Sequence, residues 1–136
     1  MPGRYSVSVY GAINPEDGTL YSMLAEKFNT DTVKKFFTML MEKINSPFYL
    51  VLDNSKPHRS KELKEWAEKI EDKIRLLFLP PYSPHLNKIE RVWKLTRKTT
   101  THNKYFAALE HLQQALTNQF KQWNKPNNTL KTLCEN

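Results

Sequence analysis

The chain has 136 residues, 39% hydrophobic and 26% charged, with 21 Lys and Arg against 14 Asp and Glu for a net charge of +7. Those values exclude a disordered polyelectrolyte and fit one domain, residues 1–136, long enough to bury a core. The cationic excess favours a polyanionic partner, nucleic acid foremost, or else a lysine-rich solubilising surface.

A single cysteine, Cys134, excludes an internal disulfide and a cysteine metal pair. Met1–Tyr10 lacks the apolar core of a signal peptide, and no apolar run approaches the roughly 20 residues that cross a bilayer. The reading is a cytoplasmic protein, nucleoid-associated if prokaryotic, with no membrane partner.

Tyr5–Tyr10 alternates with a period of two, Gly11-Ala12-Ile13 continues the strand, and Asn14-Pro15-Glu16-Asp17-Gly18 is turn chemistry. Thr19–Glu26 is extended again, so the pair reads as a β-hairpin with Asp17 as a turn residue. Asn29-Thr30-Asp31 then supplies an N-cap signal for a helix with Val33, Phe36, Phe37, Leu40, Met41 and Ile44 along one side. Phe48–Leu52 is an unbroken apolar run, read as a strand buried on both faces, and it ends at Asp53. Ser60 can cap the following helix, where Lys61/Glu65 and Lys64/Glu68 suit a solvated, salt-bridged face. Ile74–Leu79 is another short apolar strand, followed by the proline-stiffened loop Pro80-Pro81-Tyr82-Ser83-Pro84-His85-Leu86-Asn87. Ile89, Val92, Trp93 and Thr96 mark the next helix. A last helix from Tyr105 carries Leu109, Leu112, Leu116, Phe120 and Trp123, and residues 124–136 read as a loose tail. Trp66, Trp93 and Trp123 fall on apolar stripes and read as core. The order β-β-α-β-α-β-α-α implies a mixed sheet with flanking helices.

Two carboxylates stand out. Asp53 lies at the carboxyl end of a strand, where open α/β sheets place their chemistry, or it simply opens a turn. Glu90 falls at the third helical position if Asn87 is the N-cap, which fits a variant capping box. Between them lie one helix and one strand, a crossover that can return Glu90 beside Asp53. Two carboxylates so placed suit Mg²⁺, with Mn²⁺ as its substitute, acting on a phosphodiester.

Leu52-Asp53-Asn54-Ser55-Lys56-Pro57-His58-Arg59-Ser60 resembles the second-aspartate block of DDE transposases of the mariner-like and bacterial insertion-sequence superfamily. Leu79-Pro80-Pro81-Tyr82-Ser83-Pro84-His85-Leu86-Asn87-Lys88-Ile89-Glu90-Arg91-Val92-Trp93 resembles the block that carries the family's glutamate. The resemblance implies a ribonuclease H-like fold shared with retroviral integrases. It makes Asp53 and Glu90 the second and third members of a metal-binding acidic triad, and it implies Mg²⁺-dependent DNA cleavage and strand transfer. Asn54 and Asn87 are supporting residues on this reading, or turn and cap residues. Lys56, His58, Arg59, Lys88, Arg91, Lys94, Arg97 and Lys98 are the DNA-contact candidates, although Glu90 and Lys94 could form an ordinary i, i+4 pair.

Departures from the pattern matter. Lys88 stands where the family has proline, and Lys56 replaces a small or apolar residue. Glu16, Asp17 and Glu26 are the carboxylates ahead of the first helix, the first two in the turn, and the resemblance places the strand with the first aspartate upstream of the hairpin. The chain is expected to be the C-terminal part of a transposase catalytic domain, inactive alone. Its partners would be DNA, an upstream-encoded transposase segment and a second copy of itself. The alternatives are a non-catalytic nucleic-acid-binding remnant and a subunit that completes a split transposase.

Overall fold

The computed structural model describes residues 7–45, 47–53, 60–102 and 104–135. The described strands form one antiparallel and one parallel pair, and the chain packs as two compact units. The first unit holds residues up to Glu26 together with Lys88 onward, and the second holds Lys27–Asn87.

In the first unit, β1 (Ser8–Ile13) pairs antiparallel with β2 (Leu20–Ala25), in register from Ser8↔Ala25 to Ile13↔Leu20. The turn between them is closed by Gly18 N donating to Asn14 O at 2.8 Å and by Thr19 N donating to the Asp17 carboxylate at 2.9 Å. Asp17 is thus a turn residue, as its neighbours implied. Gly18 has φ +80°, a conformation other residues adopt at a cost. The helix α3 (Ile89–Thr96) crosses β1 where Gly11 lacks a side chain, because a Cβ there would overlap the Trp93 ring.

A π turn, Arg97–Thr101, prolongs α3. The helix α4 (Leu109–Trp123) then buries Leu112, Leu116, Phe120 and Trp123, the predicted stripe. It starts at Leu109 and not at Tyr105, whose ring is exposed. Phe106 is the residue that packs against the core here, so the spacing of Tyr105 was a coincidence of phase.

Residues 124–136 were expected to be loose, and there the structure differs. Asn128–Leu133 is a helix, α5, capped by Asn127, whose side-chain oxygen accepts the Leu130 N–H at 2.8 Å. Leu130 and Cys134 are 0% and 1% exposed and join Leu20, Val92 and the α4 stripe in one core. A helix of six residues cannot hold itself together in water, so the burial of Leu130 and Cys134 is what makes it form.

In the second unit, α1 (Thr30–Lys43) begins with a reciprocal capping box: Asn29 Oδ1 accepts the Thr32 N–H, and Asn29 N donates to Thr32 Oγ1. It buries Val33, Phe36, Phe37 and Leu40. The strands β3 (Phe48–Leu52) and β4 (Ile74–Phe78) are parallel, in register from Phe48↔Ile74 to Leu52↔Phe78. Parallel pairing needs a crossover, supplied by α2 (Lys61–Lys69). Ser60 caps α2 by accepting the Leu63 N–H at 3.1 Å. Lys34 reaches Glu62 at 2.7 Å, and Lys61 lies 3.8 Å from Glu65 on the solvated side.

The expectation that β3 is buried on both faces is not met. Tyr49 and Val51 are 66% and 47% exposed, whereas Leu52 is buried. Side chains alternate across a strand, and only one face of this pair is covered, since Leu77 opposite Val51 is exposed as well. Among the described residues, no helix is long and apolar enough to cross a membrane.

Candidate active site

Asp53 follows Leu52 directly, at the carboxyl end of β3, and it is exposed. The β3–β4 ladder runs to that point, with Leu79 N donating to Leu52 O at 2.8 Å. The carboxylate therefore leaves the residue immediately after the last one the pairing holds. Asn54, Lys56, His58 and Arg59 lie outside the described residues.

Glu90 sits in the first turn of α3 in the other compact unit. Its capping-box alternative fails on geometry. The N-cap is Lys88, with helical φ −62° and ψ −25°, and it makes no side-chain cap bond. Asn87 was expected to cap, but its N–H closes the preceding 3-10 turn by donating to Pro84 O at 3.0 Å. Glu90 therefore stands at the second helical position, exposed, and forms no ion pair with Lys94 among the described residues. A helix N-terminus still favours a carboxylate there through its partial positive charge. The exposed carboxylate leaves oxygen donors of the hard type that Mg²⁺ takes.

The basic residues divide into two sets. Lys94, Arg97 and Lys98 are exposed along α3 and its π turn. Arg91 turns instead to its own chain, where Nη1 donates to Glu135 O at 2.7 Å and to Leu133 O at 3.2 Å. Lys88 and Arg91 also stand near Cys134. Burial pushes that thiol above its ordinary range, and the two cations pull it partly back. Among the described residues, no group of three or more His, Cys, Asp or Glu comes together.

Two features went unread in the sequence. Tyr82, within Pro80-Pro81-Tyr82-Ser83-Pro84, has φ +58° and is 99% exposed, a left-handed conformation rare for a bulky residue. The flanking prolines were the available signal. The second is an open groove of about 350 Å³ in the first unit, lined by Val7, by Val9 of β1, by Trp93, Thr96, Arg97 and Thr101 of α3 and its π turn, and by Leu112, Leu116 and Phe120 of α4. Two of its three polar members have intrahelical partners, Thr96 Oγ1 on Val92 O and Thr101 Oγ1 on Arg97 O. Val7 lies just before β1 and Val9 within it, so the groove opens beside the start of that strand.

Comparison with known proteins gives the following. The family described as DDE superfamily endonuclease matches residues 2–113. A protein of Sinorhizobium fredii named "Uncharacterized protein y4pE/y4sA" is 27% identical over 119 residues, covering 86% of this chain and 82% of its own length. The "Insertion element IS630 uncharacterized 39 kDa protein" of Shigella sonnei is 37% identical over 54 residues, which are 40% of this chain and 16% of that protein.

Among solved structures, a chain of the simian T-cell lymphotropic virus intasome, in complex with PP2A regulatory subunit B56 gamma, superposes with a TM-score of 0.61 at 16% identity. It covers 81% of this chain and 41% of its own. The catalytic core domain of BIV integrase superposes with a TM-score of 0.54 at 14% identity, over 82% of this chain and 73% of its own. These likenesses show the fold, which is ribonuclease H-like. The match spans less than half of the intasome chain and about a sixth of the insertion-element protein.

Proposed function

Because the chain belongs to the DDE superfamily of endonucleases, we propose that it supplies two of the three acidic residues of a DNA transposase active site, Asp53 and Glu90. The observation that carries this reading is the state of Glu90: the cap that would have explained it is absent, and its carboxylate is exposed and available. Asp53, at the carboxyl end of β3, is the second oxygen donor. These two side chains would hold Mg²⁺ or Mn²⁺, which when bound supplies positive charge for an attacking and a leaving oxygen of a phosphodiester. Lys94, Arg97 and Lys98 would neutralise DNA phosphates, a contact that positions the duplex without reading its sequence.

The test joins this chain to its upstream coding segment and measures Mn²⁺- or Mg²⁺-dependent cleavage of DNA. Asp53→Ala and Glu90→Ala each abolish cleavage while leaving the fold intact. Unchanged cleavage in either variant refutes the assignment. DNA binding without cleavage in the joined protein identifies a non-catalytic remnant instead.

A second reading concerns partners. Among the described residues β1 and β2 form a two-stranded sheet, and the apolar groove lies at the start of β1. An apolar groove beside a two-stranded ladder suits a further apolar segment. The strand expected upstream of the hairpin, with apolar residues at alternate positions, is the occupant that fits. Co-expression with an upstream polypeptide forms a stable heteromer on this reading, and a chain that stays monomeric in its presence excludes it.

A further inference from the structure

The first turn of α3 carries Glu90 yet lacks the usual means of being held. Its N-cap is a lysine with no side-chain cap bond, and a cation there opposes the helix dipole. The residue that grips this turn is Arg91, one position after Glu90, whose Nη1 binds Leu133 O and Glu135 O at the carboxyl end of α5. Bonds from a charged donor are the stronger kind, and Leu133 O, at the last residue of α5, sits where a helix C-terminus concentrates negative partial charge.

The other end of α5 is equally fixed. Asn127 N donates to Asp17 O at 2.9 Å, Asn127 Nδ2 donates to Gly18 O at 2.8 Å, and Asn127 Oδ1 caps the helix. Between those ends, Leu130 and Cys134 are buried in the core. A six-residue helix is about 9 Å long, so α5 is a short strut from the β1–β2 turn to the first turn of α3. Adjacent helical residues point about 100° apart, so a side chain clamped at 91 sets the rotation of the turn that presents 90.

We propose that Arg91 is a positioning residue. Through the α5 strut it sets the direction of the Glu90 carboxylate, and it is not a DNA contact. The proposal rests on the reading of Glu90 as a metal ligand, and the experiment separates the two.

In the ¹⁵N-labelled full chain, Mn²⁺ broadening of the α3 first-turn amides reports metal at Glu90. The rate at which iodoacetamide labels Cys134 reports the docking of α5. Arg91→Ala raises the Mn²⁺ concentration for half-broadening at least fivefold and speeds Cys134 labelling at least tenfold. Arg91→Lys, which keeps one cationic donor, recovers part of both. Glu90→Gln removes the broadening and leaves Cys134 labelling unchanged.

If Arg91→Ala speeds labelling but leaves the Mn²⁺ midpoint unchanged, Arg91 merely anchors α5 and the positioning role is overturned. If neither changes, the strut itself is overturned. Broadening that survives Glu90→Gln refutes the metal reading and leaves the anchor standing. Should Arg91→Ala not fold, a chain ending at Thr132 removes both accepting carbonyls with Arg91 in place. It shows the same weakening of Mn²⁺ if the proposal holds, and none if it does not.

Discussion

Replacing Gly18 with alanine attacks the strut at its foot. The residue has φ +80°, where an L side chain costs about 1–2 kcal/mol. The added Cβ would also overlap Asn127 O and lie 2.6 Å from Lys131 N, both backbone atoms of the α5 end that cannot rotate away. The helix must retreat, and the bonds from Asn127 to Asp17 O and Gly18 O are lost, at roughly 1 kcal/mol each.

The total is about 3–4 kcal/mol, which for a chain of this size lowers Tm by roughly 10–15 °C. Thermal unfolding followed by circular dichroism measures it. Asn127→Ala removes the side-chain bond to Gly18 O and the α5 cap but keeps the backbone N–H to Asp17 O, so the double variant, which loses the Gly18 O bond only once, costs less than the sum of the singles. Undocking of α5 alone would give a smaller Tm change with rapid labelling of Cys134, which still places the damage where the geometry predicts. A Tm within about 3 °C of the parent together with unchanged labelling refutes the reasoning.

Two further outcomes are expected. Tyr82→Gly relieves the left-handed backbone and removes a ring that is almost wholly exposed, so stability rises by up to about 1 kcal/mol, offset in part by the unfolded-state freedom of glycine. A loss of more than about 1 kcal/mol on urea unfolding would show that the ring holds the loop. Cys134 has a thiol pKa raised above its ordinary 9.0, chiefly by burial. The folded state therefore holds that proton more tightly than the unfolded state. Its contribution is fully present below about pH 9 and is lost as pH rises through the folded value. Cys134→Val removes this part of the alkaline decline, and an identical pH profile for both proteins above pH 9 would contradict the burial.

The amino-acid sequence by itself determined the elements whose signals are local. The hairpin follows from period-two alternation around Asn14–Gly18, α1 from the Asn29 cap and its apolar stripe, and β3 and β4 from short apolar runs joined by a capped helix. The family too was legible, since two motif blocks at a compatible spacing pointed to the endonuclease superfamily that the comparisons found. The same two blocks made Asp53 and Glu90 the candidate metal ligands.

What remained for the tertiary structure were the features that depend on non-local contacts. Asn127, Leu130, Leu133 and Cys134 had a cap and helical spacing, yet a helix that short exists only when docked, so α5 was invisible until its core was in view. Asn87 looked like a cap because its backbone bond to Pro84 O could not be foreseen. Arg91 looked like a free cation on a basic helix, and only packing revealed the carbonyls 42 and 44 residues away that it holds. Local pattern named the candidate side chains, and chain packing decided which of them is tied down, because a hydrogen bond to a distant carbonyl leaves no trace in spacing.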